Sequence, residues 1–218
     1  MNAGLGNLES LKVFLLSGKL ASESRFNQVI TDIGLGVAGL IGQFCNRDFI
    51  YGENKTQIFS GNRSHWYMPA YPISSFSKVE LRYFKADNWS DITGQPISCN
   101  EETGLLSFGY TLGRDPIQVR VTWSGGYWFE TLEPDDAGFP SSAPASILNC
   151  TAIEPSKFYL PAELRFAWQM QCAEVWNKYD ALGLTLVSEP NSQALTGTLD
   201  LVPAVKRILE AHKRYELT

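Results

Sequence analysis

The spacing of apolar residues changes from a helical period to a strand period after Arg47, and it changes back at Pro161. Between residues 26 and 44 the apolar positions recur at i, i+3, i+4 and i+7, which predicts an amphipathic helix of about five turns. Its single apolar stripe consists of Phe26, Val29, Ile30, Ile33, Val37, Leu40, Ile41 and Phe44. A shorter helix is predicted from about Leu8 to Leu16.

The segment after Arg47 consists of short aromatic runs separated by turn residues, which indicates β-strands. Lys78 to Phe84 and Ile117 to Trp123 alternate between apolar and polar residues, so each should present one face to a core. Residues 131–158 are rich in Pro, Ser and Ala and are too long for a tight connection. We therefore expect a surface excursion there.

Helical spacing returns from Pro161, a residue type favoured in the first turn of a helix. One face of this helix is predicted to carry Leu164, Trp168, Cys172, Val175 and Tyr179, and a last helix should run from about Pro203 to Tyr215. The chain is thus predicted to be a single α+β domain, residues 1–218. It has N-terminal helices at 8–45, a β-rich segment at 46–130, the excursion at 131–158, and C-terminal helices and a tail at 159–218.

The motif GLGVAG, residues 34–39, has the glycine spacing of a dinucleotide-binding loop. That loop works only between a buried strand and a helix. The preceding residues include Asn27, Gln28 and Asp32 and fit a helix better than a buried strand. We therefore expect Gly34, Gly36, Gly39 and Gly42 to leave one side of a helix without side chains, so that another helix can approach closely. Each glycine makes the helix less stable by about 1 kcal/mol relative to alanine.

Composition limits the classes of protein that this chain can belong to. Its 218 residues are 44% hydrophobic and 19% charged, which is enough for one large domain or two small ones. A net charge of -5 argues against a protein that grips nucleic acid phosphates. The longest apolar run near the N-terminus, Val13 to Leu16, is too short for a signal peptide or a membrane span. A cytoplasmic protein without a membrane segment is expected.

Residues that could carry catalysis are scattered. Each of the four cysteines stands alone, the only histidines are His65 and His212, and the adjacent pairs Glu101-Glu102 and Asp135-Asp136 lie in turn-like sequence. This pattern does not predict a zinc site, a nucleophile-base pair or an acid-base pair. We expect no catalytic, cofactor-binding or metal-binding residues and no enzymatic activity.

Aromatic residues cluster at "HWYMPAYP" and at Tyr127-Trp128-Phe129. They could stack on sugars, which leaves a carbohydrate-binding or adhesin-like β-rich module as an alternative function. In a chain with six tryptophans and nine tyrosines, packing in a core or an interface is the commoner role.

The order of the local patterns resembles the head-tail connector (adaptor) proteins of long-tailed bacteriophages, from about residue 8 to residue 215. The patterns are a helix ending in "FCNRDF" (Phe44 to Phe49), then "MPAYPISSFSKVELRY", "TGLLSF", "IQVRVTWSGGY" and a helix opening "LPAELRFAWQM". The excursion, residues 131–157, is longer than is usual for that family. The structural signature carried over consists of Phe44, Arg47, Phe49, Trp123, Gly125, Gly126, Tyr127, Pro161 and Leu164.

The resemblance implies a small helical bundle with an inserted antiparallel β-sheet region, assembled as a dodecameric ring below the portal. Its implied partners are other copies of the chain, the portal protein, and a tail-side neck or tail terminator protein. DNA would pass through without sequence-specific binding, no membrane would be involved, and no cofactor is implied. The location would be the virion neck, after assembly in the host cytoplasm. An acidic wall suits such a passage because it does not trap the phosphate backbone.

Three local expectations follow from this comparison. Ser124-Gly125-Gly126 should let the chain turn with positive φ, so that the aromatics after it pack where the sheet meets helices or a neighbouring subunit. Phe44 and Phe49 should anchor the helix end to the β segment, with Arg47 pairing with a carboxylate or capping carbonyls. The residues expected to dock on the portal are Lys206, Arg207, Lys213, Arg214 and Tyr215. The apolar stripe of the same helix could instead complete the bundle of the monomer.

Overall fold

The computed structural model describes residues 3–16, 24–60, 63–95, 97–109, 117–128, 143–185 and 200–214, with the backbone alone at 179–185. The chain forms two compact units. The helical unit is built mainly from Met1–Arg47 and Leu160–Tyr215, and the β unit from Asp48–Trp128 and Pro134–Tyr159. Helices and antiparallel sheets are both present, so the predicted α+β class is confirmed.

The described α-helices are α1 (Leu8–Leu16), α2 (Asn27–Cys45), α3 (Ala145–Leu148), α4 (Ala162–Thr185) and α5 (Pro203–Glu210). Short 3-10 helices occur at Ser24–Phe26 and Pro155–Phe158. The strands are β1 (Gly52–Ser60), β2 (His65–Tyr67), β3 (Ile73–Arg82), β4 (Ser90–Asp91), β5 (Ile97–Asn100), β6 (Leu105–Phe108) and β7 (Gln118–Gly125).

Helix α2 ends where the sequence changes period. Asn46 adopts the left-handed conformation (φ 50°), and the Asn46 and Arg47 amides donate to the carbonyls of Gln43 and Gly42. These are the two hydrogen bonds of a Schellman cap, which satisfies carbonyls that the helix leaves open. Asparagine tolerates this conformation better than most residues, so the helix ends at this point.

The predicted apolar stripe of α2 is only partly buried. Its buried face consists of Ile30, Gly34, Val37, Ile41 and Cys45 and is displaced from the predicted stripe toward Gly34 and Cys45. Five of the eight residues in the predicted stripe are only partly buried, namely Phe26, Val29, Ile33, Leu40 and Phe44. The stripe does not form a single buried face, because α2 carries apolar residues around more of its circumference than the unit covers.

In the core of the helical unit, the backbone of the N-terminal segment packs directly against the backbone of α2 at Gly34. A Cβ atom at Gly34 would lie 2.0 Å from the Ala3 carbonyl oxygen, and one at Gly4 would lie 2.5 Å from the Gly34 carbonyl oxygen. Trp168 Nε1 donates to that same Gly34 carbonyl at 2.9 Å. The buried apolar residues of the unit include Leu5, Leu8, Leu11, Leu160, Leu164, Ala167, Trp168, Cys172, Leu201, Val205 and Leu209.

The β unit contains two antiparallel sheets among the described residues. One has the strand order β1-β7-β3-β4 and the other β2-β6-β5. Val119 and Val121 of β7 pair with Leu81 and Val79 of β3, so apolar residues share one face of the sheet. The predicted alternation is confirmed in β7 and in β3, with Val79, Leu81, Val119, Val121 and Trp123 buried. It fails after Arg82, where β3 ends, because Tyr83 and Phe84 lie beyond the strand and are each 60% exposed.

The two sheets share one buried cluster, which holds residues of both, including Trp66 of β2, Leu106 of β6 and Trp123 of β7. The indole nitrogens find backbone acceptors, because Trp66 Nε1 donates to Ser60 O and Trp123 Nε1 donates to Ala70 O, both at 3.0 Å. Each buried N–H thus avoids the cost of an unmet hydrogen bond.

The second half of the predicted surface excursion differs from the expectation. Residues 129–142 lie outside the described residues, but from Ala143 onwards the segment contributes buried side chains, with Ile147 and Phe158 at 0% exposure and Ile153 at 4%. Tyr51 links this segment to the sheet through hydrogen bonds between its hydroxyl group and those of Ser146 and Ser74. Scattered large apolar residues anchor the segment despite its Pro-, Ser- and Ala-rich composition.

Candidate interaction surfaces

The glycine pair at the end of β7 lies where there is no room for a side chain. Gly126 has a φ of 109°, and a Cβ there would lie 2.6 Å from the Ile50 carbonyl oxygen. Gly125 has no positive φ, but its Cβ would lie 2.7 Å from the Pro72 carbonyl oxygen. The two glycines are therefore required for different reasons, namely backbone conformation at Gly126 and lack of space at Gly125.

Tyr127 and Trp128 are packing residues of the β unit. The Tyr127 ring stacks on Phe49 with ring centroids 6.4 Å apart, and the Tyr127 amide donates to the Phe49 carbonyl at 2.7 Å. Trp128 is 5% exposed, and its amide donates to the Phe158 carbonyl. Phe129 lies outside the described residues. A sugar-stacking platform needs exposed ring faces, so Trp128 does not provide one.

The residues on the two sides of Arg47 belong to different units. In the helical unit Phe44 is half-exposed, and Lys213 Nζ lies 4.7 Å from its ring centroid. In the β unit Phe49 is 2% exposed. Arg47 itself is buried. Thus Phe44 packs under the C-terminal segment, while Phe49 belongs to the packing of the β unit.

Pro161 directly precedes α4, and Leu164 lies in the first turn of the helix. The Pro161 carbonyl accepts the Leu164 and Arg165 amides, at 3.0 and 3.1 Å. Leu164 is fully buried. Proline thus supplies an acceptor in the first turn, where it has no N–H to leave unpaired.

The proposed portal-docking residues have different surroundings. Lys206 forms an ion pair with Asp200 at 2.9 Å, whereas Arg207 is exposed. Lys213 lies over Phe44, and the Arg214 amide donates to the Cys45 carbonyl at 2.8 Å. Tyr215 lies outside the described residues. Lys213 and Arg214 therefore take part in holding the segment to α2, and Arg207 offers its charge to solvent.

Val205 and Leu209 of α5 are fully buried, and Leu201 just before the helix is 4% exposed. The side chain of Gln171 in α4 holds the residues just before α5. Its Oε1 atom accepts from the Val202 amide at 2.9 Å, and its Nε2 atom donates to the Asp200 carbonyl at 3.2 Å. Helix α5 thus completes the core of the helical unit through its apolar stripe, while the exposed side of the same helix can carry charge.

His212 is half-buried, and its Nε2 atom lies 2.9 Å from Glu163 Oε1. Burial lowers the pKa of His212, and the hydrogen bond to Glu163 partly opposes this shift. The neutral imidazole is therefore favoured in the folded protein. This histidine acts as a structural contact between the segment after α5 and the first turn of α4.

The outer face of the four-stranded sheet carries a charged and aromatic cluster. The Arg82 and Arg120 guanidinium carbons each lie 4.4 Å from the Trp89 ring centroid. Glu80 is 4% exposed and pairs with Arg120 at 2.6 Å and with Lys78 at 2.8 Å, and the hydrogen bond from Arg120 lowers its pKa. The two cations compensate a carboxylate that would otherwise be costly to bury.

Cys45, Cys99 and Cys172 do not have the surroundings of reactive thiols. Cys45 and Cys172 are fully buried, and burial raises the pKa of Cys45 to about 11 and that of Cys172 further. Burial also raises the pKa of Cys99 to about 12. Among the described residues no group of three or more His, Cys, Asp or Glu side chains is placed to hold a metal ion.

An apolar groove of about 690 Å³ lies along α2. Most of its lining comes from that helix, and Val175 of α4 completes it; the α2 residues are Val29, Asp32, Ile33, Leu35, Gly36, Val37, Gly39, Leu40 and Gln43. Apart from the glycine itself, its chain neighbours and the backbone of the helix, no described atom lies within 4 Å of the positions that a Cβ would take at Gly36 or Gly39. The span Ser24–Cys45 is also long and apolar enough to cross a membrane, a property that core helices of soluble proteins share.

Among the solved structures that are similar to this chain are two of the same kind of particle. One is a chain from the neck of an empty gene transfer agent (GTA) particle computed with C6 symmetry; it has a TM-score of 0.59 and 10% identity, over 100% of this chain and 93% of that one. The other is a chain from the virion of a native GTA particle, with a TM-score of 0.57 and 10% identity, over 97% and 90%. No family model matches the sequence, and no curated protein does so either. The chain shares its fold with components of a virus-like particle.

Proposed function

We propose that this chain is a structural protein of the neck of a phage-like particle. Within the neck it acts as a head-tail connector that forms a ring below the portal and surrounds the DNA passage. The observation that carries the proposal is the similarity of fold over the whole chain to a protein of a GTA particle neck. That particle was computed with C6 symmetry, and repeated copies around an axis are what a ring-forming connector requires.

The chemistry of the chain is compatible with this role. A net charge of -5 suits a wall past which DNA must slide, because an acidic surface does not retain phosphates. The described cysteines are buried or half-buried, and burial raises the pKa of three of the four. Seven of the described aromatic side chains are buried, among them Trp66, Trp123 and Trp168. The molecule is thus built for packing and assembly.

The proposed ring places the portal on one side and a tail-side neck or tail terminator protein on the other. The exposed guanidinium group of Arg207 is the best-placed of the basic residues near the C-terminus to meet an acidic patch on the portal. The chain would be made in the host cytoplasm and would function in the virion.

The proposal is tested by electron microscopy of the purified protein, alone and after mixing with portal-bearing heads that lack tails. We expect rings, and we expect the protein to sediment with the heads. A protein that remains monomeric in both preparations and does not sediment with the heads would contradict the proposal.

A further inference from the structure

We draw no further inference here: the strongest candidate, the apolar groove that α2 forms with Val175 of α4, carries no proposal because nothing in the described residues shows what covers it.

Discussion

The indole nitrogen of Trp168 donates a hydrogen bond to the backbone carbonyl of Gly34, 2.9 Å away. This bond joins the second turn of α4 to α2 at the place where the N-terminal segment also touches Gly34. Because both residues are buried, the bond forms in a region from which water is excluded. It fixes the relative position of the two longest described helices.

We expect Trp168→Phe to lower the free energy of unfolding by about 1 to 3 kcal/mol, through loss of this hydrogen bond and of part of the packed ring. Urea unfolding measures the change. Trp176→Phe is the control, because Trp176 is half-exposed and makes an edge contact with Phe26 at 5.6 Å. Equal losses in the two variants would show that the bond to Gly34 adds no stability.

Glycine-to-alanine substitutions should change stability in opposite directions along one helix. Gly34→Ala should destabilise the protein, since the added Cβ meets the Ala3 carbonyl oxygen at 2.0 Å. At a protein concentration where the chain is monomeric, Gly36→Ala should stabilise by up to about 1 kcal/mol, since the Cβ meets open space. Thermal unfolding of the two variants side by side decides this, and a shift of the same sign in both would contradict it.

Gly126→Ala should destabilise by more than about 1 kcal/mol, because its φ of 109° is unfavourable for alanine and a Cβ would lie 2.6 Å from the Ile50 carbonyl oxygen. Gly94→Ala is the control, with no atom within 4 Å of its Cβ position. The midpoint of urea unfolding reports both. If Gly126→Ala unfolds at the midpoint of the wild type, the turn after β7 is less constrained than described.

Truncation after Asp200 should collapse the melting transition or cause aggregation, because it removes Leu201, Val205 and Leu209 from the core of the helical unit. Each lost leucine alone is worth about 2 to 5 kcal/mol. Calorimetry of the truncated protein measures the effect. Arg207→Glu is the matched surface variant, and we expect it to melt like the wild type and to bind portal-bearing heads less tightly. A truncated protein that melts normally would contradict the packing role of α5.

Stability should depend on pH through His212. Because burial lowers the pKa of His212 in the folded state, the unfolded chain binds a proton more readily. Stability is therefore complete above the ordinary histidine pKa of about 6.5 and decreases as the pH falls from there toward the lower folded-state value. His212→Gln should reduce the difference in urea midpoint between pH 7.5 and pH 5.5, measured beside the wild type in the same buffers. A wild-type midpoint that does not fall over this range would contradict the argument.

The sequence predicted those elements whose burial follows one clear period. The alternation of Val119, Val121 and Trp123 identified β7, and the spacing of Leu164, Trp168 and Cys172 identified the buried face of α4. Alternation reports a buried face directly because successive side chains of a strand point to opposite sides. These elements are therefore predictable without knowledge of their neighbours.

Helix α2 was less predictable because its apolar residues cover more than one face. Periodicity treats Val29 and Ile30 alike, but in the structure Ile30 is buried and Val29 lines an open groove. Whether a glycine is required also depends on its tertiary neighbours. Gly34 is required because the backbone of Ala3, 31 positions earlier in the chain, occupies the space of a Cβ atom. Likewise, the burial of Phe158 depends on partners that composition does not reveal.

The burial of the thiols of Cys45 and Cys172 has a consequence for the chemical durability of the protein. Cys45 and Cys172 are inaccessible and held protonated, and a protonated thiol neither attacks a disulfide nor oxidises readily. These two thiols are therefore expected to stay unmodified in reducing solution and in aerated water alike. A particle built from this chain would need no chemical maturation of these two sites after release, and its durability outside the cell would depend on non-covalent packing there.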